Sequence, residues 1–149
     1  MEPRLPADIR ERMSLAWRHR FALNRSYVAF SDCSADGDPG NGEAQDGDPV
    51  GFMNRGLDSE ILADEPGRYE ARIFWYAEPD RVPVTVDVTP RRVQGMTWKP
   101  GDVLDAVIAD TTGAELSRQE VKADDLGLAT VTRVEVRSRE GCRLTLRRK

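Results

Sequence analysis

The sequence predicts a mostly β fold, an antiparallel sandwich, and three observations carry that expectation. From Gly67 onward apolar residues fall at every second position, the period of a strand with one face buried. Turn-forming clusters separate the runs at 78–80, 99–102, 112–113, 124–127 and 140–141. No helical pattern stands between the runs, so short strands follow one another as they do in a sandwich. The expected architecture is immunoglobulin-like or fibronectin III-like, with about seven strands. An N-terminal helix or linker over 1–26 precedes a sandwich module over 27–149, which includes a long acidic loop at 32–51.

Each element has its own signal. Over 6–23, Pro6 suits the first helical position, and Asp8 and Glu11 sit near the positive end of the helix dipole. Ile9, Met13, Ala16, Trp17 and Phe21 form one apolar stripe, read as a face that docks on a core. Residues 24–31 start a strand. Tyr69, Ala71, Ile73 and Trp75 alternate with Glu70, Arg72, Phe74 and Tyr76. Val82, Val84, Val86 and Val88 alternate with Pro83, Thr85, Asp87 and Thr89. Leu104, Ala106 and Ile108 make a third run, and Thr132, Val134 and Val136 a fourth. Cys142, Leu144 and Leu146 make the last, with Arg143, Thr145 and Arg147 facing away. Pro90 cannot donate to a ladder, so its strand is expected to end or reach an edge there.

Bulk properties narrow the function classes. The 149 residues suffice for a core without disulfide staples. No apolar run reaches membrane-spanning length, and the opening Met1-Glu2-Pro3-Arg4-Leu5-Pro6 does not read as a signal peptide. A cytoplasmic setting or an excised piece of a longer chain is expected. The net charge of -4 is unevenly spread. Residues 1–31 carry +3, residues 32–80 carry -10, residues 81–128 carry -2 and residues 129–149 carry +5. With a pI near 5.1, a nucleic-acid partner is not expected, and neither is a membrane. Cys33 and Cys142 stand 109 positions apart and define no disulfide framework; two separate buried thiols are expected.

The acidic loop is the main candidate site. From Asp32 to Glu43 it has the outline of a twelve-position Ca²⁺ loop, with Asp32, Ser34 and Asp36 at positions 1, 3 and 5, Gly37 at 6 and Glu43 at 12. A hard cation takes six to eight oxygens from one tight wrap, and this spacing supplies them. Asp36-Gly37-Asp38-Pro39 recurs as Asp46-Gly47-Asp48-Pro49, which adds Asp38, Asp46 and Asp48 to the expected ligand set. The loop is not an EF-hand: Ser34 replaces the usual Asp or Asn, Pro39 blocks the strand contact at position 8, and paired flanking helices are missing. The competing reading is a solvated loop of Asx turns, which Asp and Gly favour without any metal. Arg91 and Arg92, which follow Pro90, are candidates to pair with the acidic loop; the plainer reading is two solvated arginines.

Enzyme chemistry finds little support. His19 is the single histidine, and Arg18 and Arg20 beside it oppose its protonation. There is no Gly-x-Ser-x-Gly elbow, no zinc-ligand spacing and no phosphate loop, so no catalytic residue is assigned. Two rival functions remain. Trp98, with Trp75 and Tyr76, would stack on sugar rings if exposed, although core packing is expected for Trp75. A small independent hydrolase using a carboxylate pair is the other.

Two stretches carry a resemblance. Thr85 to Asp102, which includes Pro90-Arg91-Arg92 and Trp98-Lys99-Pro100-Gly101, is one. The other runs from Ala29-Phe30-Ser31-Asp32-Cys33-Ser34 through the Asp/Gly loop to Gly51-Phe52-Met53-Asn54. Together they resemble the C-terminal accessory module of bacterial hydrolases of α/β-hydrolase type. The resemblance implies a β-rich, non-catalytic module whose partner is the catalytic domain of a parent protein or another protein. It further implies a secreted or envelope setting for the parent, one that would permit a Cys33–Cys142 disulfide.

Overall fold

The computed structural model describes residues 23–35, 56–76 and 81–149. The helix expected over 6–23 lies outside them except for its last residue, Leu23, which stands in a turn. Among the described residues there is no helix and there are eight strands. They are β1 (Tyr27–Ser31), β2 (Leu57–Glu65), β3 (Arg68–Trp75), β4 (Val84–Arg91), β5 (Val103–Ala109), β6 (Glu115–Lys122), β7 (Val131–Val136) and β8 (Cys142–Arg148). They form a three-stranded sheet in the order β1-β4-β7 and a five-stranded sheet in the order β2-β3-β8-β5-β6, antiparallel throughout.

The alternation decides which side chains meet between the sheets. Val84, Val86, Val88, Val131, Val134 and Val136 line the inner face of the small sheet, all at most 3% exposed. Tyr69, Ala71, Ile73, Trp75, Leu104, Ala106, Ile108, Leu144 and Leu146 line the inner face of the large one. Burying a side chain of Val or Ile size contributes roughly 1.5–3 kcal/mol, so these rows supply the main driving force. β-Branched valines suit the small sheet because their stiff side chains pack on a pleated surface.

The expected strand count is corrected from about seven to eight. β2 and β6, both at edges of the large sheet, were not anticipated. Neither shows a clean alternation, because each is buried only in part: Leu57, the first residue of β2, is its one fully buried position, and in β6 only Val121 is buried. β4 ends one residue past Pro90, at Arg91, and Pro90 stands at an edge, as expected. The ladder to β7 stops at Val88–Val131, whereas that to β1 continues through Pro90–Val28. The missing N–H of Pro90 thus costs nothing on the side where β4 has no partner.

Two side chains repair the ladders locally. Between Val86 and Val88 the register to β7 slips, so that Thr132 and Arg133 oppose Asp87 alone. Arg133 takes a left-handed φ of 54°, and its N–H donates to Asp87 Oδ1 at 2.8 Å. Gln119 of β6 then bridges the two sheets: its Nε2 donates to Thr132 O at 2.9 Å and its Oε1 accepts the Thr132 N–H at 3.2 Å. An amide side chain here stands in for a strand neighbour along an exposed edge.

Candidate functional site

One end of the sandwich gathers four connections. Leu57 pairs with Trp75, Cys142 with Ile73, Arg143 with Ala109 and Val84 with Val136. The segments 32–56, 76–83, 110–114 and 137–141 therefore leave or enter the sheets at the same end. The acidic segment is one of them, and both of its flanks are fixed to the fold.

Its entry is tied to β4. Ser34 N–H donates to Thr85 O at 2.9 Å, and Thr85 N–H donates back to Ser34 Oγ at 2.9 Å. Arg81 Nη1 donates to the carbonyl of Ala35 at 3.2 Å. Asp32, exposed, turns the chain with a left-handed φ of 50°. Its exit is tied to β3. Tyr76 N–H donates to Gly56 O at 2.8 Å, and Gly56 has φ 101°. A Cβ there would fall 2.5 Å from the Trp75 indole, so only glycine lets the returning chain lie against that ring.

Of the seven expected cation ligands, Asp32 and Ser34 are described, and Asp36, Asp38, Glu43, Asp46 and Asp48 lie outside the described residues. Ser34 Oγ already accepts one backbone N–H, which leaves one lone pair for a cation. No group of three or more His, Cys, Asp or Glu among the described residues is placed to hold a metal ion. The described residues carry sixteen acidic and sixteen basic side chains, so the net charge of -4 comes from the rest of the chain, chiefly the five acids and one arginine of 36–55.

Arg81, Arg137 and Arg139 lie on the connections at this end. Arg137 pairs with Glu135 at 2.9 Å, and Arg139 Nη2 donates to Tyr76 O at 3.1 Å. The acids here are held locally. The Thr112 hydroxyl, with the N–H groups of Ala114 and Thr112, keeps the Asp110 carboxyl below its ordinary pKa. Hydrogen bonds from its own N–H and the Ser138 hydroxyl lower that of Glu140.

The other expected binding residues lie elsewhere. Arg91 and Arg92 stand at the far end of β4 from Thr85, about 20 Å away for six residues of extended strand. Arg92 lies over the Tyr27 ring at 5.2 Å instead. Trp98 is half-buried against the core, and its Nε1 donates to Gly127 O at 2.9 Å. Trp75 is in the core and Tyr76 is exposed at the loop-bearing end, so the three aromatics do not form one row. Arg81, Thr85, Gly56 and Trp75 are the anchors that sequence reasoning missed. None of them carried a local signal for this role, because each acts through a partner distant in the chain.

Both cysteines are buried and remain thiols, so the implied Cys33–Cys142 disulfide is not formed. Burial pushes the Cys142 thiol up to about 12, well away from a reactive thiolate. Comparison of the chain with protein-family models, curated proteins and solved structures finds no match.

Proposed function

We propose that this chain is a non-catalytic accessory or interaction module, of the kind attached to bacterial hydrolases, whose Asp/Gly segment is ordered by Ca²⁺. The observation that carries the reading is the two-ended anchorage of that segment. Ser34 and Ala35 are tied to Thr85 and Arg81, and Gly56 is seated on Trp75. A pinned loop has already lost part of the conformational freedom that cation binding would otherwise remove, which favours binding. A three-plus-five antiparallel sandwich is also the kind of scaffold on which an immunoglobulin-like or fibronectin-like module carries function in end loops. The inert Cys142 thiol fits a module without nucleophilic chemistry. No observation favours a sugar-binding reading, since the Trp98 ring packs on the core and its N–H is engaged.

Calorimetric titration of the chelator-treated protein with Ca²⁺ tests this reading. A dissociation constant of about 0.1 mM is typical of weak extracellular calcium modules. Ca²⁺ at about one hundred times that constant would stabilise the fold by about 2.7 kcal/mol. Asp46→Asn with Asp48→Asn should weaken binding and leave the chelated protein's melting temperature unchanged. Absence of heat, with equal melting in Ca²⁺ and in chelator, eliminates the calcium reading.

A further inference from the structure

We propose that the outer face of the five-stranded sheet carries an oxyanion-binding cleft centred on Arg72 and Arg143. The cleft is open-sided, about 250 Å³, and lined by Leu62, Arg72, Thr111, Cys142 and Arg143. The β3–β8 ladder sets Arg72 directly opposite Arg143, and the β5–β8 ladder brings Ala109, and so the turn holding Thr111, to the same row. Like charges directly opposite on adjacent strands destabilise a sheet. Here Glu60, Glu70 and Glu140 balance Arg68, Arg72 and Arg143 in number, but none of the three is in close contact with a terminal nitrogen of Arg72 or Arg143. Glu60 is 3.9 Å from Arg72, at the outer limit of an ion pair, with its own side chain 61% exposed. Glu70, 3.2 Å from Arg143, is shared with Arg68 at 3.6 Å. Glu140 gives Arg72 a main-chain carbonyl, which accepts from Nε at 2.8 Å, and its carboxylate adds a charge nearby. Glu115, in the adjoining row, is held by Arg118 at 2.9 Å.

The nearest of these contacts engage the Nε of each guanidinium. They hold each guanidinium by its Nε edge. Among the described residues, no hydrogen bond is made by the Nη groups of Arg143 or by Nη2 of Arg72. Arg72 is held further by the Phe74 ring, 4.8 Å from its guanidinium carbon. Two pre-set forks side by side, with the Thr111 residue at the margin, match a carboxylate or phosphate group. The volume exceeds that of a bare phosphate, and Leu62, 42% exposed, offers an apolar lip for the group that bears the anion.

Titration of the full chain with inorganic phosphate, followed by amide NMR at constant ionic strength, tests the cleft; acetate and chloride form parallel arms. Saturable shifts confined to residues around 62, 72, 111 and 143 are expected with phosphate or acetate, and not with chloride. Preference for phosphate identifies a phosphorylated ligand, and preference for acetate a carboxylate. Arg143→Gln should weaken binding about tenfold, the loss of one charge-assisted partner. Arg143→Lys keeps the cation without the fork and should weaken it too, which guards against a folding failure in the first variant. Arg118→Gln, on the same face but outside the cleft, should leave the affinity unchanged. Shifts that never saturate, or an affinity equal in Arg143→Gln and the parent protein, overturn the proposal.

Discussion

Asp64 shows how much one side chain can hold. It lies near the end of β2, and its carboxylate accepts the N–H groups of Gln94 at 2.8 Å, Gly95 at 2.7 Å and Met96 at 3.2 Å. Gly95 lies so close to the Asp64 carbonyl that a Cβ would fall 2.3 Å from it. Partial burial raises the Asp64 pKa, but the Gln94 and Gly95 N–H groups, the Ser26 hydroxyl and the Met96 N–H together hold it below its ordinary value. A carboxyl whose folded pKa is depressed stabilises the fold above its unfolded pKa, and the contribution fades as pH falls through the folded value. Asp64→Asn should cost about 1–3 kcal/mol at neutral pH, the worth of hydrogen bonds to a charged acceptor. Urea midpoints measured at neutral pH and near pH 3 should show the gap between variant and parent closing on acidification, because the unfolded carboxyl titrates near 3.9. A gap that is constant with pH would assign the cost to shape alone. The sequence offered only an aspartate in an acidic stretch; its partners lie thirty positions away, so nothing local marked it.

At the level of elements, the inner strands were legible and the edges were not. β5 and β8 alternate cleanly, and β3, β4 and β7 do so over most of their length, because one face of each is sealed against the opposite sheet. β6 reads Glu-Leu-Ser-Arg-Gln-Glu-Val-Lys, and its pairing with β5 and its Gln119 bridge to Thr132 are tertiary facts. The turns were legible too, since their chemistry is local. Asp124 Oδ1 accepts the N–H groups of Leu126 and Leu128, and Asp110 Oδ1 those of Thr112 and Ala114, as Asx turns require. Among the described glycines, the one in the turn between β7 and β8 has the closest neighbour. Gly141 has φ 87°, and a Cβ there would meet the Ile73 carbonyl oxygen at 1.8 Å. Gly141→Ala should lower stability by about 3 kcal/mol through strain and overpacking. In a thermal melt that corresponds to a fall of about 10 °C for a chain of this size. A fall of less than about 2 °C, under 1 kcal/mol on the same scaling, would mean that the β7–β8 turn yields.

Across the whole molecule, stability comes from one two-sheet core rather than from covalent or metal staples within the described residues. Cys33 is 7% exposed and Cys142 1% exposed, and they are not bonded to each other. A reducing agent should therefore leave the melting temperature unchanged. A thiol reagent at neutral pH should label Cys142 no faster than the fold opens, since its thiolate is suppressed by burial. Rapid labelling of the native protein, followed by mass spectrometry to locate the modified thiol, would contradict the position of Cys142. Charge is also distributed at this scale. Equal numbers of acids and bases in the described sandwich leave the acidic character concentrated in 36–55, whose flanking residues Ala35 and Gly56 stand at the end that bears Arg81, Arg137 and Arg139.

The sequence by itself determined a mostly β sandwich, five of the eight strands with most of their inward residues, the start of a sixth at β1, and the turns at 99–102, 112–113, 124–127 and 140–141. Those properties follow from the two-residue period and from local turn chemistry, which are written into neighbouring positions. It also exposed the crowding of carboxylates that makes the acidic segment a candidate. Only the tertiary structure decided the order of strands in each sheet, the edge strands, the ties of Ser34 to Thr85 and of Gly56 to Trp75, and the juxtaposition of Arg72 with Arg143. Each of these depends on residues far apart in the chain, brought together by burial of the shared core, and no local pattern encodes such a meeting.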